Sequence, residues 1–286
     1  MTTGIEPAGD GSEKAADPGI SQERRAQRGI QSIEVGGQLL VVLGRIGMPM
    51  LLKDLAQEAG MTAAKAHPYL VSFGKLGLVE QDPATGRYQL GPQALQLGLV
   101  CLQQLNPVRL AVRELSALAS RIGHSVALAV WGNHGPTVVH VEEATYPLHV
   151  NLRTGSVMSL LNTATGLAFA AFLPSSVVEA MIRAEPDRIG GLSAPEARQA
   201  WRTIEGTLAD IRLRRLARVT GTPIPGINAF CAPVFDHTGK IVLAITAMGP
   251  SGTFSTDWDS PIAAVLSEIA DGISARLGYR LGPIQK

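Results

Sequence analysis

Cysteine is nearly absent. The 286 residues hold only Cys101 and Cys231, without the paired spacing of a zinc site or a disulfide framework. Aromatic residues make up 5 % and charged residues 17 % of the chain, while hydrophobic residues reach 45 %. That is too little charge for a disordered chain and ample aliphatic surface for a core. No apolar run approaches the ~20 residues of a membrane-spanning helix, and no basic patch followed by a hydrophobic stretch opens the chain as a secretory signal would. The expectation is a cytoplasmic protein without membrane contact. Neither sign of charge dominates: 25 basic against 24 acidic residues give +1, which argues against a strongly basic nucleic-acid binder. At roughly 150 residues per domain, the length points to two domains.

The charge is unevenly placed. Residues 1–23 hold five acids and only Lys14, a deficit of four that leaves +5 on residues 24–286; they show no periodicity and read with their flank as a disordered tail over 1–27. Arg24, Arg25 and Arg28 then reverse the sign ahead of an amphipathic stretch, where Ile33, Gly36, Leu40, Leu43 and Gly47 recur at helical spacing. The pattern predicts a helix over 29–46, a short helix ended by Gly60, and a third helix over 62–76 capped by Thr62, burying Ala66, Leu70, Phe73 and Leu76. Leu78–Gln81 and Arg87–Leu90 flank a turn-forming cluster and predict a hairpin. Together these elements predict a winged helix-turn-helix over 28–91, whose third helix enters the major groove. That helix carries Lys65 and Lys75 and no acid. A protein-interaction bundle is the other reading of the same pattern.

Residues 92–106 form an apolar linker helix, with Leu95, Leu99 and Leu102 as the predicted dimer seam, and Asn106-Pro107 is a cap-and-proline helix start. Residues 107–283 predict an α+β domain on a largely antiparallel sheet. It has strands at Ser125–Gly132, Thr137–Ala144, Leu148–Arg153, Ile227–Phe235 and Lys240–Met248, helices at 164–183 and 194–216, and a closing helix bearing Ile262, Leu266, Ile269, Ile273 and Leu277. Ser193 and Glu196 have capping-box spacing. Thr163-Ala164-Thr165-Gly166 reads either as an ordinary N-cap or as a helix start whose free N–H groups receive a carboxylate.

No catalytic constellation stands out. Cys231 lies in an apolar run as a small buried hydrophobe. His140 and Glu142 share a strand face near His134 and His149, a metal set on one reading and a solvated face on the other. The prediction is no enzyme, no metal and no cofactor.

Three blocks in order, Leu55-Ala56-x-x-x-Gly60-Met61-Thr62-Ala63-Ala64-Lys65-Ala66-His67, Leu76-Gly77-Leu78-Val79-Glu80 and Thr85-Gly86-Arg87-Tyr88-x-Leu90-Gly91, resemble the DNA-binding half of the IclR family of bacterial transcriptional regulators. The resemblance continues through Leu152-Arg153-x-Gly155, Leu160 to Gly166, Pro225 to Asp236 and Ala244-Ile245-Thr246, covering about 250 residues. It implies a GAF-like effector-binding domain, a homodimer or dimer of dimers, and a palindromic double-stranded operator. It also implies DNA contacts from Arg28, Lys53, Thr62, Ala64, Lys65, His67, Ser72 and Arg87. Packing beneath Tyr88 is the other reading of His67. Where the family often has His-Arg, this chain has His67-Pro68, which removes a guanidinium and a backbone donor.

For the effector, the resemblance implies Leu160, Thr163, Ala164, Thr165, Val219, Ala229, Thr246 and Met248. Relatives that bind small acids have Asp, Cys and Ser among the strand positions, whereas Val219, Ala229 and Met248 are apolar here. The implied ligand is a small organic or aromatic acid, with an aromatic carboxylate favoured over the smallest, most polar acids. The alternative is a small-molecule sensor or enzyme that does not bind DNA.

Overall fold

The computed structural model describes residue 1 and residues 29–143, 152–184, 194–221 and 223–280. The predicted tail, Arg28, His149, most of the predicted strand Leu148–Arg153 and the Ser193 cap lie outside the described residues. The chain divides into two units, Met1–Gln103 and Gln104–Lys286.

In the first unit, α1 (Gln31–Ile46) buries Gly36, Leu39, Val42 and Leu43, and ends where Gly47 turns left-handed at φ 70° to return its N–H to the Leu43 carbonyl. The inward stripe differs from the expected one, since Ile33 is 68 % exposed and Leu39 is fully buried. The cause lies outside the helix. A Cβ on Gly36 would sit 2.6 Å from the Tyr69 ring, so contact with the third helix chooses the face. Helices α2 (Leu52–Glu58) and α3 (Ala63–Lys75) follow, then an antiparallel hairpin of β1 (Val79–Gln81) and β2 (Tyr88–Leu90). Met50 exchanges both backbone hydrogen bonds with Tyr88, tying the hairpin to the α1–α2 connection. Leu76, expected inside, is 62 % exposed because it is the cap after the last helical turn. Helix α4 (Pro92–Gln104) buries none of its residues.

The second unit is mixed α and β. Helix α5 (Pro107–Ile122) starts where the Asn106 side chain accepts the Arg109 N–H at 2.9 Å and stops at left-handed Gly123. Five strands, β3 (Ser125–Gly132), β4 (Gly135–Glu142), β5 (Ala217–Thr220), β6 (Ile227–Phe235) and β7 (Ile241–Pro250), form an antiparallel sheet in the order β4-β3-β7-β6-β5. The four-residue β5, just beyond the helix expected over 194–216, is not among the predicted strands. That corner is held by Arg215, left-handed at φ 53° and paired with Asp271, while Arg214 and Arg218 stack on Trp258.

Successive strand residues alternate faces. Val126, Leu128, Phe230, Ala232, Leu243 and Ile245 pack with α5 and the closing helix α9 (Pro261–Arg276). Ala129, Ala217, Cys231 and Ala244 pack on the other face with α6 (Ala164–Phe172), which α8 (Ala194–Arg214) covers in turn. Burial of both faces explains why these antiparallel strands read as nearly unbroken apolar runs. The helix expected over 164–183 is two helices, α6 and α7 (Ser175–Ala184). Pro174 cannot donate inside a helix and pushes Leu173 to extended backbone, at φ −84° and ψ 157°.

Every residue of α6 from Ala164 to Ala171 is buried. Its first turn lies on the preceding loop so closely that a Cβ on Gly166 would stand 2.0 Å from the Ser159 carbonyl oxygen and 2.6 Å from the Leu160 Cα. Gly166→Ala is therefore expected to destabilise the second unit by about 1–3 kcal/mol, the usual cost of overpacking. Gly206→Ala, exposed on α8 with nothing within 4 Å of the added carbon, should be neutral or stabilising by up to about 1 kcal/mol. Calorimetric melting of the two variants checks the contrast.

Candidate DNA-binding face and effector cavity

Helices α2 and α3 are joined by four residues that turn at left-handed Gly60, φ 67°. Thr62 caps α3, its hydroxyl accepting the Lys65 N–H at 3.3 Å. Capping by Thr is worth about 1 kcal/mol and fixes where the helix begins. Ala66 and Leu70 point into the core, which leaves Ala64, Lys65, His67, Pro68, Val71, Ser72 and Lys75 on the exposed side. Exposure of His67 overturns the reading that it packs beneath Tyr88, which lies in the core cluster behind α3. The helix runs through Pro68 without interruption. The Ser72 hydroxyl donates to the Pro68 carbonyl at 3.0 Å.

Of the candidate DNA contacts, Thr62, Ala64, Lys65, His67 and Ser72 thus share one helix, and Lys53 is exposed on α2. Arg87 immediately precedes the second wing strand, exposed, with its guanidinium donating to the Pro49 carbonyl at 3.2 Å. The wing tip is shaped by Asp82, which accepts from the Thr85 hydroxyl at 2.6 Å and the Ala84 N–H at 2.9 Å. Those bonds hold its carboxyl below the ordinary carboxylate range, the Thr85 hydroxyl contributing most. Arg45, by contrast, is paired with Glu58. Val71 is the exposed α3 residue that sequence reasoning did not single out. Its signal was present as an apolar side chain off the buried stripe.

The second unit holds a half-open cavity of about 410 Å³ between the N-terminus of α6 and the sheet face beyond it. Seven of the eight candidate effector residues line it: Thr163, Ala164 and Thr165 from the helix start, Val219 from β5, Ala229 from β6, and Thr246 and Met248 from β7. Strand alternation and register bring the last four together, since Val219 pairs with Ala229 and Ala229 with Met248. Leu160 does not line it. That residue is 1 % exposed, packed in the core under α6, because the tight Gly166 contact turns it inward.

Sequence reasoning missed the cavity's outer wall. Ser156, Val157 and Met158 come back along the free edge of β4, through Val138 N–H to the Ser156 carbonyl at 2.9 Å and Met158 N–H to the Pro136 carbonyl at 2.8 Å. Ile224 and Ile227 close the opposite rim. The Leu152-Arg153-x-Gly155 block marked the approach to that strap, but an edge pairing of this kind carries no local periodicity.

At the cavity floor the Thr163 hydroxyl donates to the Ser159 carbonyl at 2.7 Å and accepts the Gly166 N–H at 3.0 Å. The Ala164 and Thr165 N–H groups meet no acceptor among the described residues. The Thr165 and Thr246 hydroxyls hydrogen-bond each other at 2.7 Å. Cys231 lies behind them, fully buried, and burial pushes its thiol up to about 12 against the smaller opposing effect of the two hydroxyls. A thiol so held is no nucleophile at neutral pH. No charged side chain lines the cavity among the described residues. An anionic ligand would therefore find its donors at the helix N-terminus and the threonine hydroxyls, with apolar walls around the rest.

His140 and Glu142 hydrogen-bond each other at 2.8 Å, half-buried. No group of three or more potential metal ligands occurs among the described residues.

The family profile described as IclR helix-turn-helix domain matches residues 32–83, and the one described as bacterial transcriptional regulator IclR C-terminal matches residues 100–275. The glycerol operon regulatory protein of Streptomyces coelicolor is 29 % identical over 256 residues, spanning 88 % of this chain and 98 % of that protein. The DNA-binding transcriptional repressor YiaJ of Escherichia coli is 24 % identical over 261 residues, 91 % of this chain and 92 % of its own length. The crystal structure of Pseudomonas aeruginosa HmgR superposes with a TM-score of 0.77 at 35 % identity, over 87 % of this chain and 99 % of that one. The first two are regulators by name. The chain belongs to the IclR family of bacterial transcriptional regulators, a DNA-binding protein with an N-terminal helix-turn-helix and a C-terminal effector domain.

Proposed function

We propose that this regulator acts in the cytoplasm as a homodimer, or a dimer of dimers, reading a palindromic operator with paired α3 helices and sensing an aromatic carboxylic acid in the cavity at the start of α6. The cavity carries the reading. Its volume of about 410 Å³ falls in the range of ~300–1,000 Å³ usual for small-ligand sites. Its walls are mostly apolar, and its donors are concentrated at one end. A ring would fill the space against Val219, Ala229 and Met248, with the carboxylate at the Ala164 and Thr165 amides. A two-carbon acid would leave most of that wall uncovered. Residues 28–91 form the DNA-binding module in this reading, 92–106 the linker and 107–283 the effector domain.

Pairing rests on α4. It holds no charged residue and buries nothing, with Leu95 65 %, Leu99 45 % and Leu102 39 % exposed. A second copy of the helix would cover that surface. Effector binding would favour one spacing of the two reading heads. A coupling of ~1–3 kcal/mol then changes operator affinity roughly 5- to 150-fold.

Three outcomes follow. In a thermal-shift and calorimetric panel, aromatic carboxylates at about 100 times their Kd should add ~2.7 kcal/mol to stability, and Thr165→Val should weaken them; preference for the shortest acids would sink the ligand assignment. Leu95→Glu with Leu99→Glu should shift sedimentation toward monomer without unfolding either unit. Pro68→Arg should tighten operator binding and steepen the slope of log K against log salt by about 0.9 per added phosphate contact, and an unchanged slope would show that position 68 faces no phosphate.

A further inference from the structure

Projected down α3 at 100° per residue, Ala64, Pro68, Val71 and Lys75 fall in one row, directly opposite the buried Ala66 and Leu70. The first three are exposed and carry only carbon in their side chains, with Val71 at 44 % exposure. Lys65 and Ser72 flank the row on one side and His67 on the other. The hydroxyl proton of Ser72 is committed to the Pro68 carbonyl. Pro68 has no N–H of its own. The centre of this face can therefore neither donate nor accept a hydrogen bond to a base edge, although Lys65 and Lys75 at its margins, with no acid on the helix, complement a phosphate-lined groove.

We infer that Val71, with Ala64 beside it, reads thymine 5-methyl groups in the major groove, so that the operator half-site carries thymine where this row crosses it. The methyl of thymine is the one apolar group that the major-groove edges of the four bases present. A polar base edge set against Val71 would lose its water without gaining a partner, which penalises other bases at the same position. Lys65 and Lys75 supply affinity through phosphates, and the apolar row supplies the discrimination.

This inference rests on the DNA-binding reading, and its test separates the two. The full-length chain selects duplexes from a random-sequence pool. The recovered consensus is resynthesised with each thymine in turn replaced by deoxyuridine, which lacks only the methyl. At least one replacement per half-site should weaken binding about three- to fivefold, in line with ~0.8 kcal/mol per buried carbon. Val71→Ala should erase that dependence at one position and keep the salt slope, whereas Lys65→Ala should weaken thymine and deoxyuridine duplexes alike. Binding that is indifferent to every thymine methyl, or methyl dependence unchanged in Val71→Ala, would overturn the inference and leave DNA binding standing. Recovery of no duplex at all would overturn both.

Discussion

The second unit depends on how closely α6 can lie on the loop before it. Gly166 has no side chain, and a single added carbon would run into the Ser159 carbonyl and the Leu160 backbone. That approach lets Thr163 close the helix start through two hydrogen bonds and turns Leu160 inward. It also sets the first amides of a helix buried from Ala164 to Ala171 beside the cavity. Because α6 is only nine residues long and ends before Pro174, it covers part of the sheet face and leaves the cavity at its N-terminal end. Helix placement, the cavity and the helix-start amides beside it are thus a single packing outcome.

The floor of the cavity extends this logic. Thr165 and Thr246 approach from helix and strand and satisfy each other, with Cys231 behind them kept as a neutral thiol by burial. An ionised side chain at this depth would have to be paired or would lose its charge. Hydroxyls and helix amides meet an anion without carrying that cost when the site is empty.

In the DNA-binding unit the near-neutral total charge acquires a specific meaning. The acids concentrated in residues 1–23 mask a positive remainder, and on α3 the lysines stand at the margins of an apolar row. Two lysines per reading head provide modest non-specific attraction. Such attraction follows the phosphates and is blind to base identity, so it cannot by itself choose a sequence.

Much of this was legible along the chain because the signals are local. Thr62, Asn106-Pro107, Gly47 and Gly123 mark helix ends through bonds made within four residues. The apolar strands and amphipathic helices likewise announce two domains and their classes. What the chain alone did not decide is which surface each element turns inward. Contact with Tyr69 made Leu39 the buried position on α1, the Gly166 contact removed Leu160 from the cavity wall, and edge pairing brought Ser156 to Met158 into it. Helix ends and turns are set by neighbours in sequence, so the sequence by itself determined most of the elements, their order and the two-part design, though it did not show the short edge strand β5 or the break between α6 and α7. Faces, walls and exposed rows are set by residues that meet only after the chain has packed, and those the tertiary structure decided.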